Sequence, residues 1–158
     1  MIRSAGFSEC GRSRYGLSRE WNDALPAVNF VMLNPSTADA DTDDPTIRKC
    51  VGFAKRLGFG KLIVTNLFSF RATDPADLRR AGYPVDPRGN LAVTVAAFQA
   101  DTVICAWGAN ARGLDRPAEV LKLIREAGAK PMALAYTHDG IPRHPLYLSY
   151  LYKPEPMQ

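Results

Sequence analysis

Short apolar runs alternate with amphipathic stretches along most of this chain. Residues 27–33 (AVNFVML), 61–66 (KLIVTN), 101–106 (DTVICA) and 131–135 (PMALA) are short, and turn signals or helical stretches flank them. Runs of that length predict buried strands, here over 28–33, 62–65, 102–106 and 131–134. Between them apolar residues recur at helical spacing: Ile47, Val51, Ala54 and Leu57; then Leu91, Val95 and Phe98; then Val120, Leu121, Ile124 and Ala127. Each of these sets is expected to face the core. Three inferred helices open with Asp-Pro, at Asp44-Pro45, Asp74-Pro75 and Asp86-Pro87. An aspartate cap followed by proline at the first helical position specifies a helix start. Residues 5–21 read as two short strands or a ribbon, punctuated by Gly11 and Gly16. A short closing helix is expected after His144-Pro145.

Alternation of strand and helix argues for an α/β fold of three layers, α/β/α, around a central, mostly parallel sheet of four strands. No repeat or linker divides the 158 residues, so one domain over 1–158 is expected, with 1–24 as an N-terminal ribbon or extension.

Composition narrows the function classes. Apolar residues make up 46%, which sets disorder aside. No apolar run reaches the ~18 residues of a membrane helix, and no secretory core opens the sequence. A cytoplasmic protein with no membrane partner is the expectation. Cys10, Cys50 and Cys105 are far apart and odd in number, which disfavours a disulfide framework or zinc site. Cys50 and Cys105 read as small buried hydrophobes. The net charge of +4 permits a polyanionic partner without demanding one. The basic clusters Arg12/Arg14/Arg19, Arg48/Lys49/Lys55/Arg56 and Arg79/Arg80 read first as solvated faces.

Candidate chemistry lies where strands end. In open α/β sheets ligands bind beyond the carboxyl ends of strands. Asn34, Asn66 and the Trp107-Gly108 turn occupy such positions. The alternative is that each asparagine only satisfies turn backbone. His144 likewise reads either as a site residue or as a loop cap. Asp39, Asp41, Asp43 and Asp44 crowd one loop but lack the glycine and glutamate of an EF-hand. Motifs for dinucleotide, P-loop, serine-hydrolase and zincin sites are missing.

The segments at those strand ends resemble, in order, motifs of the uracil-DNA glycosylase superfamily. Asn34-Pro35-Ser36 resembles its first-strand motif, Leu62-Ile63-Val64-Thr65-Asn66-Leu67 the second, Val103-Ile104-Cys105-Ala106-Trp107-Gly108 the Trp-Gly turn, and His144-Pro145-Leu146-Tyr147-Leu148 the late His-Pro motif. The chain departs from the pattern at Ser36, where the family has glycine, and lacks a serine after His-Pro. It also resembles, over its whole length, a bacterial family of unknown function marked by Met-Leu-Asn-Pro-Ser-Thr-Ala-Asp followed by Asp-Asp-Pro-Thr.

The glycosylase resemblance implies that the four strands, numbered in chain order, lie in the order 2-1-3-4. It implies DNA or a nucleotide as ligand and no cofactor. Asn34 would hold the attacking water and His144 would stabilise the departing base. Asn66 would read the base, with Pro35, Ser36, Phe68 and Trp107 around it and Leu148 as a wedge into the duplex. Two functions stay open: an N-glycosidic hydrolase such as a base-excision glycosylase, and a non-catalytic nucleotide- or nucleic-acid-binding module of the same fold.

Overall fold

A computed structural model describes residues 1–158. The strands are β1 (Ile2–Phe7), β2 (Arg14–Glu20), β3 (Ala27–Met32), β4 (Lys61–Asn66), β5 (Thr102–Cys105), β6 (Pro131–Ala133) and β7 (Glu155–Pro156). The helices are α1 (Pro45–Arg56), α2 (Pro75–Arg80), α3 (Pro87–Gln99) and α4 (Arg116–Glu126). All seven strands form one mixed sheet in the order β1-β2-β4-β3-β5-β6-β7. The inner four, β4-β3-β5-β6, run parallel to one another.

The expected four-stranded sheet is thus corrected to seven strands. The N-terminal segment forms the expected two-stranded ribbon, β1 with β2, and joins the sheet: β2 pairs antiparallel with β4, and Leu17 sits opposite Val64. Two-residue β7 closes the other edge against β6, too short to leave a periodic signal. The closing helix is a single 3-10 turn, Pro145–Tyr147.

Side-chain alternation along the inner strands builds two cores. Val28, Phe30, Met32, Leu62, Val64 and Ile104 pack with Ile47, Cys50 and Phe53 of α1 on one face. Val31, Leu33, Val103 and Cys105 pack with Leu78, Val93, Val120 and Ile124 of α2, α3 and α4 on the other. Burial pushes the Cys50 and Cys105 thiols well above their ordinary titration range.

All three Asp-Pro helix starts form as capped termini. Asp44 accepts from Ile47 N, Asp74 from Ala76 N and Asp86 from Arg88 N. The face expected for α3 is corrected. Leu91, Val95 and Phe98 are exposed, while Gly89, Val93, Ala96 and Ala97 are buried. The small residues win because α3 lies close to its neighbours: a Cβ on Gly89 would stand 3.4 Å from Ser69 Oγ. No helix is long and apolar enough to cross a membrane.

Candidate functional site

The carboxyl ends of β3, β4 and β5 open onto one cavity of about 430 Å³. That size suits a small-molecule or single-nucleotide ligand. Asn34, Pro35, Ser36, Asn66, Trp107 and His144 all line it. Phe68 and Leu148 do not. Phe68 is buried in the second core with its ring centroid 5.5 Å from that of Tyr83. Leu148 is only 2% exposed, packed in the first core, so it cannot wedge into a duplex. The side chains that protrude beside it are Tyr147 and Leu151.

The segment after β3 is clamped to residues 71–73. Ala72 N donates to Pro35 O at 2.9 Å, Arg71 Nε to Ser36 O at 3.2 Å, and the Ser36 and Thr73 hydroxyls meet at 3.0 Å. Asn34 is fixed by the same clamp. Its Nδ2 donates to Ala72 O at 2.8 Å and Pro35 O at 3.1 Å. The amide can point only one way, and its Oδ1 is left as an acceptor for the cavity.

Asn66, the last residue of β4, is the opposite case. It is 5% exposed, and neither Nδ2 nor Oδ1 has a partner. A buried amide left unpaired costs about 1–3 kcal/mol per group.

His144 caps the 3-10 turn: its Nδ1 accepts from Leu146 N at 3.2 Å. A neutral ring with Nδ1 accepting carries its proton on Nε2. Burial lowers its pKa, opposed by the nearby Asp44 carboxylate, so the ring stays neutral at pH 7. Cap and site roles therefore coexist in one side chain. Gly108 makes room for it, with φ +84 and a built Cβ 3.1 Å from His144 Cβ.

Asp44, Leu146 and Arg14 are among the lining residues that the sequence did not point to, as are Thr37 and Thr46. Asp44 lines the cavity as well as capping α1; Oδ1 takes the capping bond from Ile47 N at 2.8 Å. Its Asp-Pro position was the available signal, because a helix entered from a parallel strand starts at the ligand-binding edge. Leu146 lines the cavity two residues before Leu148. Arg14, read as part of a solvated cluster, is 2% exposed and also lines it. Burial lowers the Arg14 pKa to about 10, so the guanidinium remains charged.

Asp39 and Asp43 of the acidic loop are spent on structure. Asp39 Oδ1 accepts from Asp41 N and Thr42 N, and Asp43 pairs with Arg19 at 2.9 Å. No group of three His, Cys, Asp or Glu side chains stands ready to hold a metal ion.

No curated protein and no solved structure matches the chain. A family model, described as "Protein of unknown function (DUF1643)", matches residues 14–146, a span that holds every cavity residue discussed above. The chain belongs to that family.

Proposed function

We propose that this protein cleaves an N-glycosidic bond, excising a base from DNA or hydrolysing a related nucleoside or nucleotide. The observation that carries this reading is the Asn66 amide, buried at the cavity with donor and acceptor both unpartnered. A nucleobase edge offers the complementary acceptor and donor side by side, and enzymes that act on bases read the extruded base in this way. The strand order β4-β3-β5-β6, with the cavity at the carboxyl ends, supports a uracil-DNA glycosylase-like fold.

The chemistry follows from the fixed groups. Asn34 Oδ1 accepts from a water and orients it, because Nδ2 is already committed to two carbonyls. An amide orients water without deprotonating it, so the reaction relies on leaving-base stabilisation. His144 Nε2–H supplies a neutral donor for the departing anionic base. Asp44 adds the one carboxylate at the cavity, where an oxocarbenium-like sugar would develop positive charge.

Asn34 standing where a stronger base would speed hydrolysis favours a second reading, a non-catalytic nucleotide-binding module. One experiment separates the two. The full chain is incubated with oligonucleotides carrying damaged or modified bases, and with nucleosides, and free base and abasic sites are assayed. The glycosylase reading expects base release that Asn34→Ala lowers by about 10²-fold or more while sparing binding. Binding without release from any substrate supports the module, and neither binding nor release overturns both.

A further inference from the structure

Strand β2 carries a bulge. Gly6 faces Gly16 and Phe7 faces Arg14, so Tyr15 is an extra residue with no partner on β1. A bulge re-aims the side chains that follow it. Here it puts Arg14 on the same buried face as Leu17 and Arg19. Tyr15 is turned to the other side, where its hydroxyl donates to Asp86 Oδ2 at 2.7 Å. Without the extra residue, Arg14 would alternate away from the cavity.

So placed, Arg14 is a buried cation with little to hold it. The one hydrogen bond its side chain makes is Nη1 to Ala38 O at 3.0 Å. Nε has no partner. No carboxylate forms an ion pair with it, although Asp44 shares the cavity and offsets part of its charge. A buried guanidinium without an anion is costly, and its planar donors match an oxyanion bidentately.

We propose that Arg14 is an oxyanion-binding residue of the cavity and that the ligand is a phosphate ester, a nucleotide rather than a free base or nucleoside. The nucleotide part rests on the reading that Asn66 takes a base. Thr37 and Thr46 also line the cavity, and their hydroxyls are further donors of the kind a phosphate uses and a carboxylate does not need.

Calorimetric titration of the full chain at low salt tests the proposal, with inorganic phosphate, a set of nucleosides and their 5′-monophosphates. The monophosphate is expected to bind at least about tenfold tighter than its nucleoside, the size of one charge-assisted hydrogen bond. In Arg14→Gln that preference disappears while nucleoside binding remains. A preference unchanged in Arg14→Gln, or nucleosides binding as well as monophosphates, overturns the Arg14 assignment and leaves the base reading standing. Phosphate binding that depends on Arg14, with no advantage from any base, keeps the oxyanion site and overturns the base reading. The Arg14 Nε–H resonance of the unsubstituted chain gives a second readout that does not depend on the variant folding. It should shift with phosphate; no shift, or an equal shift with acetate, overturns the phosphate assignment.

Discussion

Two buried arginines of one strand, five residues apart, sit in opposite circumstances. At the outer end of β2, Arg19 is fully buried and fully used. Nε bonds Asp43 at 2.9 Å, and the other nitrogens reach the carbonyls of Ser18, Asp39 and Thr42. That network ties the acidic loop to the sheet. At the cavity end, the Arg14 side chain has one hydrogen bond and no ion pair. The asparagines divide in the same manner. The Nδ2 of Asn29, inside the sheet, reaches Ile63 O and Thr65 Oγ1, whereas Asn66 at the cavity has nothing. Three of the chain's four buried unpartnered side-chain polar atoms belong to Arg14 and Asn66. Native proteins leave few such atoms, so their concentration at one cavity marks the part of the molecule shaped for something other than stability.

The contrast predicts unequal costs of removal. Arg19→Met should destabilise by about 3 kcal/mol in urea unfolding, because it leaves Asp43 only the looser Arg3 pair at 3.6 Å and frees the loop. Arg14→Gln should cost about 1 kcal/mol or less, having one bond to lose. Equal losses would erase the comparison.

An effect between those two is expected at the turn that supports His144. Gly108→Ala places a side chain in the left-handed region and against His144 Cβ at 3.1 Å. It should cost about 1–2 kcal/mol and weaken ligand binding by moving the ring. A variant as stable as the parent, with unchanged binding, would show that the turn does not position His144.

The smallest effect is a slope. His144 titrates below its ordinary value of 6.5 in the folded chain because it is buried. Between the two values the unfolded chain binds more protons, so stability falls as pH drops below 6.5 and levels off under the folded value. His144→Asn keeps a capping acceptor and removes the ionisation. Urea midpoints measured from pH 7.5 down to 5 should fall less in that variant than in the parent, and equal falls would show that His144 is not the group responsible.

The sequence made the inner strands and helix starts legible because each rests on local chemistry. Apolar runs must be buried, and Asp-Pro fixes a terminus through one side chain and one restricted φ. Asn34, Asn66 and Trp107 were legible together for the same reason, since strand ends can be located, whereas Pro35, Ser36 and His144 were pointed to only by the motif resemblance. What escaped depends on long-range geometry. Arg14 points inward because of a single bulged residue, and strand parity counted along the sequence cannot register that. The inward face of α3 is the small one, so ranking residues by hydrophobicity selected Leu91, Val95 and Phe98 instead. Leu148 was placed at a duplex by motif position, yet the turn it follows returns it to the core beneath α1.

On the proposed reading the unpartnered Asn66 amide receives a base edge, and side-chain amide NMR of the full chain tests this without any substitution. Free bases, nucleosides and nucleotides are titrated while the Nδ2 proton pairs of Asn66 and Asn29 are followed. At least one base is expected to shift the Asn66 pair saturably, while the Asn29 pair, already bonded to Ile63 O and Thr65 Oγ1, stays in place. An Asn66 pair that responds to no base, or only in step with Asn29, would contradict it.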